Sequence, residues 1–189
     1  MFRFQTLYMV MLFSFFFSCK ETEKQRIVRL LEEWENKEII FPDSCYFTKY
    51  VKDTVDFPLN KSDYKIIMYV DSIGCVDCKM QLELWKWFID DLDSITTGKV
   101  PVGFFIHPEE KGDMQDLLKD KSFDYPVCLD MNNELYALNV FPNDIMFRTF
   151  LLDKENKVIA VGNPIHNLKI WKMYLRLIED NLNNNNKLE

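Results

Sequence analysis

Lys65-Ile-Ile-Met-Tyr-Val70, the turn Asp71-Ser-Ile-Gly74 and the dithiol Cys75-Val-Asp-Cys78 form the stretch whose reading decides the fold. Lys65 to Val70 is short and almost wholly apolar, as expected of a parallel strand covered on both faces. A helical pattern starts near Cys78 and runs to Ser94. Leu82, Trp85, Phe88, Ile89 and Leu92 lie on one side of it, and Lys79, Gln81, Glu83 and Lys86 on the other. Two thiols therefore fall one turn apart at a helix N-terminus. Unpaired backbone N–H groups and the positive end of the helix dipole stabilise a thiolate there, and the thiolate is the reactive species in disulfide exchange. Cys75 is expected to meet those donors and solvent, with Cys78 one turn inside the helix.

Outward from this stretch, the N-terminus says where such chemistry takes place. Residues 1–18 carry a single charge, Arg3, and an apolar run from Leu7 to Phe17 that is too short to span a bilayer. They read as a signal peptide. The junction Phe16-Phe17-Ser18-Cys19 resembles the lipobox of bacterial lipoproteins, which implies cleavage before Cys19 and lipidation of its thiol. An ordinary secretory signal and an uncleaved N-terminal anchor are the alternatives. Each of the three places the folded part outside the cytoplasm, in the cell envelope and facing the periplasm or the cell surface. Residues 19–26 are polar and form the expected lipidated tether.

The remaining residues suffice for one domain burying roughly 70 % of its unfolded surface. The chain holds 23 Lys and Arg against 30 Asp and Glu, for a net charge of −7. Without a basic face or a cluster of cations interleaved with aromatics, a nucleic-acid partner is not expected. The acidic balance serves solubility.

Besides Cys19, four cysteines remain: Cys45, Cys75, Cys78 and Cys128. Proximity favours Cys75 with Cys78. Cys128, within Tyr125-Pro-Val-Cys-Leu-Asp130, reads as a buried structural cysteine. Cys45, after Pro42-Asp-Ser44, is either free or paired with Cys128. A zinc site would need a second cysteine pair, and only His107 and His166 are available. A copper chaperone would space its cysteines differently, and a thiol peroxidase would surround Cys75 with Thr and Arg. No metal and no cofactor is expected. Trp85, Trp87 and Phe88 read as core.

The order of elements follows. Ile27 to Ile39 has the spacing of an amphipathic helix, and Tyr46 to Asp56 reads as extended, so residues 27–60 form a helical and extended extension. After the central strand and helix come a strand at Val100 to Ile106, a helix opened by His107-Pro-Glu-Glu110 and running to Lys119, a strand at Tyr125 to Leu129, and a helical turn at Asn132 to Asn139. Phe147 to Leu152 and Lys157 to Val161 suit an antiparallel hairpin joined at Asp153-Lys-Glu-Asn156. Ile165 to Asn181 is a closing helix, with Leu168, Trp171, Leu175 and Ile178 at helical spacing, and residues 181–189 form an Asn-rich tail expected to be disordered. Strands alternating with helices and ending in a hairpin plus a helix define an α/β sandwich with a mixed central sheet.

This order, with Cys75-x-x-Cys78 between the first long strand and its helix, resembles the thioredoxin fold. Tyr125-Pro-Val127, Thr149-Phe-Leu-Leu-Asp153, Asn156-Lys-Val-Ile159 and Gly162 resemble the membrane-anchored TlpA-type thiol:disulfide oxidoreductases. The resemblance implies a thioredoxin-like three-layer domain over residues 61–180. It implies exchange with the disulfides or thiols of protein substrates, Cys75 being the nucleophile and Cys78 the resolving thiol, with electrons from a membrane redox donor. Asp77 opposes a nearby thiolate by something on the order of one pK unit, which biases the pair towards a reductant; it also suits the first turn of a helix. The chain departs from the family at three places. Ile73-Gly74 stands where an aromatic residue commonly precedes the first cysteine, and Gly74 would allow close approach of a substrate backbone. Tyr69 stands at the position of the buried acid, for which Asp71 is a candidate substitute. Phe147 stands at the position of the cis-proline, so that substrate backbone would be offered by Met146-Phe147, expected to be trans. The competing reading is a non-catalytic lipoprotein of this fold that binds a protein partner and holds a structural disulfide.

Overall fold

The computed structural model describes residues 21–43 and 45–185, with side chains to residue 180. The signal peptide and Cys19 lie outside the described residues. Two compact units are present, one up to Glu33 and one from Trp34 onward. The first contains helix α1 (Glu23–Trp34), whose last residue opens the second unit. Thr22 caps this helix reciprocally with Gln25.

The second unit is built on strands β1 (Phe47–Lys49), β2 (Asp53–Thr54), β3 (Lys65–Val70), β4 (Val102–Ile106), β5 (Val127–Leu129), β6 (Thr149–Leu152) and β7 (Val158–Val161). They form one mixed sheet in the order β2-β1-β5-β4-β3-β6-β7. Within it β5, β4 and β3 run parallel, while β6 pairs antiparallel with β3 and β7 with β6. The sheet takes β1 and β2 from the segment expected as an extension, because β1 pairs antiparallel with β5 through Phe47 opposite Cys128.

All six residues of β3 are buried, which requires cover on both faces. On one face Ile66, Met68 and Val70 pack with helices α3 (Leu82–Thr96), α4 (Lys111–Asp120) and α6 (Leu168–Asn185). Trp85 meets Phe104 edge to face at 5.1 Å, and Phe88 meets Trp171 at 4.9 Å. On the other face an aromatic cluster covers the sheet: Tyr69 stacks on Phe141, which meets Phe150, which in turn meets Trp34. These contacts join burial to edge-to-face and offset geometry, each pair adding about 1 kcal/mol beyond its area.

Several boundaries differ from expectation. The helix expected from Cys78 starts at Val76 as α2 (Val76–Met80) and breaks at Gln81, whose φ of 44° is left-handed, before α3 begins. Trp87 is 65 % exposed and not core, because Trp85 and Phe88 already point to the sheet and its neighbour must face away. Helix α4 starts at Lys111, not at His107, and β6 starts at Thr149 after a 3₁₀ turn, Ile145–Phe147. The closing helix runs past Asn181 to Asn185. The short helix α5 (Glu134–Asn139) is anchored by Asp130, whose two carboxylate oxygens accept from the N–H groups of Glu134 and Leu135.

The two edges of the sheet are unlike. Strand β2 is two residues long and exposed. The outer side of β7 is bonded by the segment after α1: Asn36 N–H donates to the Val158 carbonyl, and Val158 N–H donates to the Lys37 carbonyl.

Candidate active site

Strand β3 delivers the chain to the turn Asp71–Gly74, and Gly74 makes the reversal possible with a φ of +81°. That conformation costs an L-residue roughly 1 kcal/mol and costs glycine little. Cys75 is the N-cap of α2, extended at φ −73° and ψ 106°, and its sulfur accepts from the Cys78 N–H at 3.1 Å. Cys75 and Cys78 are joined in a disulfide with their Cα atoms 5.3 Å apart. Both residues are exposed. Cys78 is the third residue of α2, one turn inside the helix from Cys75 as expected, and its side chain is exposed. The break at Gln81 limits this first helix to five residues, and the Cys78 N–H is a donor aimed at the Cys75 sulfur.

Asp77 follows in the first turn and lies 3.5 Å from Lys121, which also pairs with Glu83 at 3.3 Å. These partners, Glu83 first, raise the lysine above its ordinary value. The negative charge expected to oppose a Cys75 thiolate thus carries a cation from the end of α4.

Asp71 directly follows β3 and opens the turn that leads to the dithiol. One carboxylate oxygen accepts from Lys79 of α2 and the other from Arg148. Burial pushes this carboxyl up, but the bonds from Lys79 and Arg148 outweigh it and hold the group below the usual carboxylate range. An acid clamped in its ionised form by two cations is a poor proton donor. A folded-state value below the unfolded one contributes stability that is present above about pH 4 and lost as pH falls through the folded value. Asp71→Asn is expected to lower the urea midpoint at pH 7, with the gap from the parent closing in strong acid; parallel curves across pH would refute it.

Arg148 carries no functional mark in the sequence. It is 6 % exposed, and besides Asp71 it donates to the carbonyls of Pro142 at 2.6 Å and Asn143 at 3.0 Å. Its guanidinium also lies over the Tyr69 ring at 5.7 Å. Tyr69 is fully buried, donates to Asn133 Oδ1 at 2.6 Å, and is pushed up to about 12 by burial first and Asp71 next. A lone cation within the apolar run Phe147 to Leu152 was the available clue. Such a charge is buried only with a partner.

The loop that ends in Phe147 is pinned by its own backbone. Met146 N–H donates to Asp144 Oδ1 at 3.1 Å, the Met146 carbonyl accepts from Asn163 N–H at 2.9 Å, and Phe147 N–H donates to the Asp144 carbonyl at 3.0 Å. The Met146–Phe147 bond is trans, as are all others among the described residues. Of the remaining candidates, Cys45 and Cys128 lie with their sulfurs 3.2 Å apart, both as free thiols. His107 Nδ1 is 2.9 Å from the Asp130 carbonyl. No group of three or more potential metal-ligating side chains and no membrane-spanning helix occurs among the described residues.

No protein-family model matches the chain, and no curated protein sequence matches it. Solved structures do. The thioredoxin domain of a thiol-disulfide oxidoreductase from Bacteroides vulgatus superposes at a TM-score of 0.51 with 12 % identity, over 74 % of this chain and 96 % of that one. Peroxidoxin BcpB from Mycobacterium tuberculosis does so at 0.55 with 12 % identity, over 76 % and 97 %. A proposed thiol:disulfide interchange protein DsbE from Chlorobium tepidum gives 0.54 with 14 % identity, over 75 % and 96 %. At such identities the likeness is one of fold.

Proposed function

Because the chain has a thioredoxin-like fold with a disulfide at the carboxyl end of a central strand, we propose that it is an extracytoplasmic, lipid-anchored thiol:disulfide oxidoreductase acting on protein disulfides. The exposed Cys75–Cys78 pair carries this reading. In the reduced protein the Cys75 thiolate, favoured by the Cys78 N–H, attacks one sulfur of a client disulfide and releases the other as a thiol. Cys78 then attacks the Cys75 sulfur, frees the client's second thiol and leaves the intramolecular disulfide. The client gains two electrons and two protons, and a membrane redox donor restores the dithiol. Asp77 favours the reducing direction, to a degree that Lys121 moderates. Gly74 leaves the approach open, since a Cβ there would meet nothing within 4 Å, and Ile73, 77 % exposed, offers an apolar contact to a client. Anchoring through Cys19 rests on the lipobox-like junction.

One observation favours the alternative of a binding module with a structural disulfide. The backbone groups of Met146 and the Phe147 N–H are already engaged, so this loop can offer them to a client only by rearranging. Equilibration of the purified protein across reduced-to-oxidised glutathione ratios separates the two. Exchange activity predicts a reversible two-electron transition at Cys75–Cys78, whereas a pair that stays oxidised in the folded state under excess reductant identifies the binding module.

A further inference from the structure

The second pair of thiols lies far from Cys75 in sequence and has no part in the exchange described above. Cys45, two residues before β1, and Cys128, in the middle of β5, are 83 positions apart in the chain, yet their sulfurs are 3.2 Å from one another. Their neighbours fix this meeting: Phe47 is the direct cross-strand partner of Cys128, and Thr48 that of Val127. Cys45 is therefore the diagonal neighbour of Cys128. A disulfide needs sulfurs about 2.05 Å apart, so the two are within roughly 1 Å of bonding distance. Cys128 is 3 % exposed whereas Cys45 is partly exposed, so an external reactant meets Cys45 first.

We propose that Cys45 and Cys128 form a second redox couple that closes to a disulfide on reaction with a small-molecule disulfide such as oxidised glutathione. The Cys45 thiolate attacks one sulfur of the oxidant, giving a Cys45–glutathione mixed disulfide and one glutathione thiol. Cys128, deprotonated, attacks the Cys45 sulfur and expels the second glutathione, which takes up a proton. Two protein thiols are oxidised, and one glutathione disulfide becomes two thiols. The hydrogen bond to Cys128, followed by burial, raises the Cys45 thiol well above its ordinary value, so entry is slow near neutral pH. The bond ties the edge hairpin β1-β2 to the interior of the sheet. It also closes a long loop, which constrains the unfolded chain.

The test uses the full chain with Cys75→Ser and Cys78→Ser, so that its outcome is independent of the exchange reaction, and the parent chain alongside. After equilibration in oxidised glutathione, free thiols are alkylated and the digest is read by mass spectrometry. A peptide linked through Cys45 and Cys128 is expected in both proteins and is lost on adding Cys45→Ser. Melting of the oxidised form is expected about 10 °C above that of the reduced form. Alkylation of both cysteines after oxidation, or a persistent glutathione adduct on Cys45 with Cys128 still alkylated, would overturn the proposal.

Discussion

Cys75→Ser is expected to reduce catalysed disulfide reduction by at least about a hundredfold, to the uncatalysed background. In the proposed exchange the Cys75 thiolate is the attacking atom, and a serine hydroxyl, with a far higher pKa, does not replace it at neutral pH. Cys78→Ser should fail differently. Cys75 would still attack, but no second thiol would release it, and a covalent adduct with client protein would accumulate that dissolves on adding reductant. The pair of variants is measured by insulin precipitation and by non-reducing gels. Turnover preserved in Cys75→Ser, or adducts formed equally well by both variants, would remove the exchange mechanism. The asymmetry does not come from burial, since both cysteines are exposed. In the proposed mechanism it rests on the Cys78 N–H, which donates to the Cys75 sulfur.

Arg148→Ala is expected to cost about 3 kcal/mol of stability and to lower melting by roughly 10 °C, read by calorimetry or urea titration. Three acceptors lose their donor at once: the Asp71 carboxylate and the carbonyls of Pro142 and Asn143. The figure sits at the lower end for a broken buried ion pair because Asp71 keeps Lys79. Arg148→Lys should recover only part, since an ammonium lacks the planar fork that reaches both carbonyls and the carboxylate. A melting temperature unchanged in Arg148→Ala would mean that the guanidinium merely fills space.

How much could be read beforehand depends on whether the cause was local. Strand β3 has the bounds expected of it, Lys65–Val70, because a fully covered strand needs nothing but apolar residues. The dithiol at the start of a helix was equally plain, since Gly74 and the switch in periodicity are both written within a few residues. The interruption at Gln81 was not, because glutamine carries no mark of the left-handed backbone it adopts here between the buried Met80 and Leu82. Trp87 misled because two aromatic neighbours look alike by composition while a helix sends adjacent residues in different directions. Arg148 is not legible because its partners, Asp71 and the carbonyls of Pro142 and Asn143, converge only once β6 lies beside β3. The contact of Cys45 with Cys128 is undecided in the sequence for the same reason, as it waits on β1 finding β5.

The bonding of Asn36 and Lys37 along the outer side of Val158 has a bearing on crowding. At high concentration copies of the molecule meet repeatedly, and an open row of peptide groups would let them stack into fibrils. Here one border is engaged at Val158 by the molecule's own chain, and the other ends after Asp53 and Thr54. Neither gives a visiting strand much to hold, so dense arrays should remain dispersed.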